Sequence, residues 1–282
     1  MAKEQQPKAE QPARKQKKTF PALGKIERAL VEFMRPTQGA VGFLEVELKM
    51  AELMERSRQP KILEKYLAGH PIPAALGPDG RMYLTDHHHM GLALQRLSDL
   101  WEAGDGGAGE NPFRSCCFGV HRDYSEQPSM SLKEFYKALE AEGLCHPFGG
   151  EGQRIERLPT SLSQLVDDPY RSLSGLARKA GAYDKTDEAY LEFKWANYFR
   201  DKIPLSTLNI EQLPEAIHRA IELASAPAAA ALPGHKVPPT PYDQIPGLAE
   251  IAMRLARRHG ADDMSPDLPE LDARRARRPA SA

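Results

Sequence analysis

One acidic and three imidazole side chains stand side by side at Asp86, His87, His88 and His89. Carboxylates and imidazoles act as general acids and bases, and both ligate metal ions. Four titratable residues between two apolar segments are hard to explain by packing alone. The sequence therefore places its candidate site at this DHHH run.

A turn and a short strand come before the run, and a helix follows it. The GPDG sequence at 77–80 predicts the turn, and residues 81–85 predict the strand. The apolar residues that follow have the spacing of one helix face: Met90, Leu94, Leu97 and Trp101. Free backbone N–H groups and the positive end of the helix dipole meet where such a strand becomes a helix, which suits a phosphate.

The run resembles the second box of the ParB/sulfiredoxin superfamily, and its DHHH form resembles the ParB-like nuclease branch. The resemblance continues in RPTQ at 35–38, DPYRS at 168–172, EFKWA at 192–196 and LPG at 232–234, so it spans about residues 27–234. It implies an α+β fold. We expect a disordered tail at 1–19, a ParB/sulfiredoxin-like mixed sheet with helices at 20–125 and a helical domain at 126–234. A proline-rich linker, a short helix and a basic tail would then occupy 235–282.

The resemblance also implies a chemistry, because superfamily relatives bind ADP, ATP or CTP at the matching box. The leading prediction is a nucleotide or phosphorylated small molecule bound with Mg²⁺, with phosphoryl transfer or hydrolysis as the reaction. Catalytic roles would fall to Asp86, His88, His89 and Glu45, the last by likeness to the base of a related kinase. Asp86 would hold the metal, and His87, with His88 and His89, would contact the ligand.

One position departs from the relatives, which commonly carry an arginine after the histidine pair. Met90 stands there in this chain. An arginine clamps phosphate with two parallel hydrogen bonds. The missing charge would have to come from Arg81, Arg96 or Arg171, and we expect Arg81 and Arg171 to be ligand contacts.

Other interpretations remain open at this point. A metal-dependent nuclease or phosphodiesterase could use Asp86 with two of the histidines, whereas three consecutive histidines cannot all face one metal. A non-catalytic nucleotide- or DNA-binding module is a further alternative. The histidines could also simply cap the helix, and Glu45 could form an ordinary salt bridge with Lys49 four residues later.

Composition limits the class of protein. The chain has 282 residues and a formal net charge of −1, which disfavours a nucleic-acid partner bound over a broad basic surface. Its three cysteines form neither a disulfide framework nor a zinc pattern. We see no membrane span and no secretory signal, so the expected location is the cytoplasm.

Periodicity and capping signals predict the remaining elements. Helices are expected at 42–57, 61–68, 131–144, 169–180, 186–202, 213–226 and 248–259, and strands at 71–76 and 115–121. Pro71 and Pro73 place the first of these strands at a sheet edge or let it pair on one side only. Ser161 with Gln164 predicts a capped turn. The aromatic residues Tyr190, Phe193 and Trp195 are expected in the core of the helical domain rather than as a platform on which bases stack.

Overall fold

The computed structural model describes residues 26–104, 109–205 and 213–237. Its main sheet has five strands in the order β1-β6-β4-β5-β2. These strands are β1 (Ile26–Leu30), β2 (Arg35–Pro36), β4 (Ile72–Leu76), β5 (Met82–Leu84) and β6 (Ser115–Asp123). A separate parallel pair joins β3 (Ala40–Val41) to β7 (Val166–Asp167).

Seven helices of the described residues surround these sheets. They are α1 (Phe43–Ser57), α2 (Pro60–Gly69), α3 (His88–Ala103), α4 (Leu132–Ala141), α5 (Pro169–Lys179), α6 (Leu191–Arg200) and α7 (Leu213–Ser225). The sheet mixes parallel and antiparallel neighbours, since β4 pairs antiparallel with β5 and parallel with β6. The predicted α+β class is confirmed.

The prediction that β4 lies at an edge was wrong, because this strand is the middle one of the sheet. Its Pro73 carbonyl accepts the N–H of Thr85 over 2.9 Å. In an antiparallel pair the N–H and C=O of one residue face the same partner strand. The N–H that proline lacks would face the Thr85 carbonyl, so its absence removes one bond at the point where β5 has ended, and the pairing of Ala74 with Leu84 is kept.

Helix α1 separates two hydrophobic cores. Its Val46, Met50 and Leu53 pack with the sheet, α2 and α3. Its Leu44 and Leu48 pack with α5, α6 and α7 instead. With the β3–β7 pair, α1 therefore joins the segment before residue 125 to the segment after it.

Helix ends follow their local signals in most places. The Ser131–Glu134 capping box has both of its hydrogen bonds, and Asp168 caps α5 by accepting from the N–H groups of Tyr170 and Arg171. Gly181, at φ +85°, ends α5 with the paired hydrogen bonds of a Schellman motif.

Two capping and boundary predictions were wrong. Helix α6 begins at Leu191, because residues 186–190 form the wall of a cleft instead. The Ser161 side chain makes no cap, and Gln164 accepts from the backbone N–H of Thr160. The predicted tail at 1–19 and helix at 248–259 lie outside the described residues. Within the part of the chain that the structure describes, no helix is both long and apolar enough to cross a membrane.

Candidate functional site

The DHHH run opens into a cleft of about 940 Å³ between the start of α3 and the segment that leads into α6. We call this space the cleft. Its lining residues are Gln38, Thr85, Asp86, His87, His88, His89, Glu142, Gly143, Leu144, Arg171, Lys185, Thr186, Asp187, Glu188, Ala189, Tyr190, Leu191, Glu192 and Phe193.

A sharp backbone turn brings the run to the cleft. Strand β5 ends at Leu84, and the Asp86 carboxylate accepts the N–H of His87 over 2.7 Å. His87 then adopts the left-handed conformation, at φ 59°, as the N-cap of α3. The His87 side chain makes no capping hydrogen bond to this helix. The N–H groups of its first turn and its positive dipole end thus stand at the cleft.

His88 is turned away from solvent and hydrogen-bonded to Thr37, the first residue after β2. The ring is 2% exposed, and its Nε2 accepts the backbone N–H of Thr37 over 3.1 Å. The Thr37 hydroxyl in turn reaches the carbonyls of Leu84 and Leu144, at 2.7 and 2.8 Å. His88 therefore holds Thr37 against the start of α3.

His89 binds the N-cap residue of α1, Gly42, in the same way. Its Nε2 accepts the backbone N–H of Gly42 over 3.2 Å and lies 3.6 Å from Glu45 Oε2. Burial lowers the pKa of His89 to about 4 and that of His88 to about 3. Both imidazoles are neutral at pH 7, and both Nε2 lone pairs are occupied by backbone N–H donors.

Glu45 lies in a nearly enclosed ion network behind the cleft wall. Its carboxylate accepts from Arg171 Nη1 over 2.5 Å and from Lys179 Nζ over 3.3 Å. Burial by itself would raise the pKa of Glu45, but the charges of Arg171, of His89 when it is protonated at low pH, and of Lys179 lower it to about 2. The alternative pairing with Lys49 does not form, because Lys49 binds Glu52 at 2.6 Å.

The far wall of the cleft carries a second unusual residue. Tyr190, at φ 55°, is the N-cap of α6, again with no side-chain cap among the described residues. His87 and Tyr190 are the non-glycine residues with positive φ in the described part of the chain, and both line the cleft. Strained backbone of this kind concentrates at functional sites, so the two residues support a functional cleft.

Charges of both signs face the cleft. The cations are Arg171 and Lys185, and the carboxylates are Asp86, Glu142, Asp187, Glu188 and Glu192. Three of these acids are paired with cations outside the lining: Glu142 with Arg122, Glu188 with Lys194 and Glu192 with Arg178. The net negative charge at the cleft is therefore smaller than five carboxylates against two cations would indicate.

Comparison with known proteins agrees with this fold. A family model described as "Putative ParB-like nuclease" matches residues 28–201, more than half of the chain. The chain belongs to the ParB-like nuclease family. It is also similar to a solved structure, protein Atu1540 from Agrobacterium tumefaciens, with 30% identity and a TM-score of 0.59. The match covers 75% of this chain and 98% of that one, whereas the curated proteins give no match.

The structure brings most of the predicted site residues of this family member together. Asp86, His87, His88, His89 and Arg171 all line the cleft. Glu45 lies directly behind them, in contact with His89 and Arg171.

The other two candidate arginines lie outside the cleft lining. Arg81 is exposed in the turn before β5, 3.9 Å from Asp79. Arg96 packs its guanidinium 4.1 Å from the centre of the Phe43 ring. Of the three arginines that could replace the charge missing at Met90, only Arg171 reaches the cleft.

Several residues of the cleft were not predicted from the sequence. Thr37 and Gln38 belong to the RPTQ segment that carried the resemblance, but no pattern assigned them a role. Lys185 and Asp187 fall where a helix was expected to start. Chain segments without regular structure have no periodicity, so only the resemblance could have signalled these positions.

Mg²⁺ fits the cleft only in part. Among the described residues no group of three or more histidine, cysteine or acidic side chains could hold a metal ion. Asp86 offers one carboxylate, and Mg²⁺ is often bound by one or two carboxylates together with the phosphates of its ligand. The Nε2 lone pairs of His88 and His89 accept the N–H groups of Thr37 and Gly42, so they are not available to a metal in this arrangement.

Proposed function

We propose that the cleft binds the phosphate of a nucleotide or phosphorylated small molecule at the start of α3. The observation that carries this proposal is the uncapped end of α3, which opens into a cleft of about 940 Å³ beside two cations. Free N–H groups and the helix dipole favour an anion at such a position. Arg171 and Lys185 would add the charge that the departure at Met90 removes.

Two features of the cleft favour chemistry beyond binding. His87 lines the cleft, where desolvation lowers its pKa from the ordinary value, so its ring is neutral and able to accept a proton at pH 7. Asp86 lies next to it and would hold Mg²⁺, which neutralises developing charge when it accompanies a phosphate. Phosphoryl transfer or hydrolysis is therefore the reaction we assign to the site.

This assignment changes the proposed role of Glu45. A base with a pKa of about 2 accepts a proton poorly at pH 7, since an effective base has a pKa near the working pH. We assign Glu45 to positioning Arg171, through the contact of 2.5 Å between them.

The family description supports a second candidate, a metal-dependent nuclease. The geometry favours it less. The two histidines best placed as ligands accept the backbone N–H groups of Thr37 and Gly42, so neither Nε2 lone pair is open to a metal.

A thermal-shift titration tests the binding proposal. The melting temperature of the full chain is measured with ADP, ATP, CTP and inorganic pyrophosphate, each with Mg²⁺ and with EDTA. A ligand that binds only the folded state raises the melting temperature, and the shift grows with the logarithm of the ligand concentration once this exceeds the Kd. We expect at least one phosphate ligand to do so, and no shift with any of them at millimolar concentration would contradict the proposal.

Matched variants locate the site. Arg171→Lys and Lys185→Gln should each weaken binding, whereas Arg96→Lys and Lys65→Gln, outside the cleft lining, should not. Arg171→Lys keeps the charge but loses the forked geometry, so a loss of about tenfold is expected. Equal effects of Arg96→Lys and Arg171→Lys would move the site away from the cleft.

A further inference from the structure

The cleft is larger than a phosphate group requires. Its volume of about 940 Å³ lies near the upper end of the range typical for whole small-molecule ligands, about 300–1,000 Å³. A phosphate at the start of α3 would leave most of this space empty. The remainder has the size of an organic group attached to that phosphate.

Aromatic rings form the wall of this remaining space. Tyr190 and Phe193 line the cleft, and the His146 ring lies behind them, with centroids 4.6 and 4.2 Å away. Phe148 stacks on His146 at 4.6 Å. Burial lowers the pKa of His146 to about 4, so it packs as a neutral ring. The row Phe148–His146–Tyr190, with planes within 30° of each other at each step, thus ends at the cleft.

Tyr190 lines the cleft with its ring, because its hydroxyl oxygen is buried. The hydroxyl oxygen is buried and has no hydrogen-bond partner among the described residues. A buried hydroxyl without a partner is unfavourable, and so is a left-handed backbone at a bulky residue. Neither feature helps folding, which leaves presentation of the ring as the property that this position provides.

One residue connects the aromatic row to the charged part of the cleft. The Phe193 ring lies 4.2 Å from His146 and 5.3 Å from the Arg171 guanidinium. A ligand phosphate near Arg171 and a ligand ring on Tyr190 would therefore lie along the same wall.

From this arrangement we infer that Tyr190 forms a second subsite that stacks a planar heterocycle, so that the ligand is a nucleoside phosphate. The inference rests on the proposed phosphate site and specifies its ligand class. Bases stack well on aromatic side chains whatever their sequence identity, because every base has a π-face. A phosphate ester without a ring would leave the Tyr190 subsite empty.

Calorimetric titration of the full chain separates the two subsites. The ligands are ADP, GDP, CDP, UDP and inorganic pyrophosphate, which shares the diphosphate but has no ring. The best nucleotide should bind at least fivefold more tightly than pyrophosphate. Tyr190→Leu should bring this ratio close to one, and Tyr190→Phe, which restores a ring, should recover it.

A control variant and the ligand without a ring distinguish failure of the Tyr190 subsite from failure of the phosphate site. Tyr198→Leu removes an aromatic ring from the same helix outside the cleft lining and should leave the ratio unchanged. If pyrophosphate binds as tightly as every nucleotide, the ring subsite is wrong while the phosphate site stands. If none of the ligands binds, the proposed function fails and the subsite with it. If Tyr190→Leu does not fold, the ratio of nucleotide to pyrophosphate affinity in the unaltered protein still tests the subsite. A second measurement is the NMR spectrum of the nucleotide, in which the base protons should broaden on binding.

Discussion

Arg171 Nη1 donates to Glu45 Oε2 over 2.5 Å, although the two residues are 126 positions apart in the sequence. The pair is almost enclosed, with 12% and 11% of the two side chains exposed. It ties α5 to α1 directly behind the cleft wall. The same contact fixes Arg171 at the cleft and keeps Glu45 too acidic to serve as a base.

Glu45→Gln should therefore act mainly on stability. The substitution leaves the enclosed Arg171 guanidinium beside a neutral amide, and we expect the free energy of unfolding to fall by about 2–3 kcal/mol. That is somewhat less than the typical cost of breaking a buried pair, because the amide oxygen still accepts a hydrogen bond. Urea denaturation measures it. Glu55→Gln, on an exposed part of the same helix, should change the value by less than about 0.5 kcal/mol. Unchanged stability with abolished turnover would restore Glu45 as the catalytic base.

Gly175→Ala should disturb the same pair from the other side. A Cβ at this position of α5 would lie 2.5 Å from Glu45 Oε2, so the carboxylate would have to leave its place. Overpacking of this kind costs about 1–3 kcal/mol. Gly69→Ala is the matched control, because its Cβ would meet nothing within 4 Å, and Ala in a helix is favoured over Gly by roughly 0.5–1 kcal/mol. Equal stability of the two variants in urea denaturation would show that Gly175 is not needed for the pair.

Stability should fall on mild acidification. Burial lowers the pKa of His88 to about 3 and that of His89 to about 4, from the ordinary 6.5. The unfolded chain thus takes up protons first as the pH drops, so stability is complete above pH 6.5 and is lost from 6.5 down to about 4 through His89 and down to about 3 through His88. Each ring contributes a slope approaching about 1.4 kcal/mol per pH unit within this window.

Denaturation curves at pH 7.5, 6.0 and 5.0 measure this slope. His89→Asn should reduce it, whereas His218→Asn, on an exposed part of α7, should not. Glu45 does not interfere in this interval, because its own contribution is lost only as the pH falls below about 4.5 toward 2. A flat profile from pH 7.5 to 5.0 would contradict the neutral, buried state of both rings.

Chelation separates the two candidate functions. A phosphate held by helix N–H groups, Arg171 and Lys185 should still bind in EDTA, with affinity reduced but measurable. A nuclease that depends on a metal would lose all cleavage of supercoiled DNA in EDTA and regain it with Mn²⁺ or Mg²⁺. We expect no cleavage by the pure protein in either condition. Chelator-sensitive cleavage that Asp86→Asn abolishes would establish the nuclease instead.

The local elements and the location of the site could be predicted from the sequence. The turn, strand and helix around Asp86 depend on signals a few residues long, such as alternation, capping residues and helical spacing. The Ser131 capping box and the Asp168 cap are equally local and formed as expected. The resemblance carried by the DHHH and RPTQ segments added the α+β class and the family.

What each residue of the site does was decided only by the tertiary structure. Nothing in the spacing of the histidines shows that His88 and His89 accept N–H groups from Thr37 and Gly42, which stand about fifty positions earlier. Nor does it show that Glu45 finds Arg171 rather than Lys49. Such contacts depend on how α1, α3 and α5 pack. Packing also sets the pKa of each buried group, because burial and neighbouring charges, rather than sequence position, determine which protonation state is favoured.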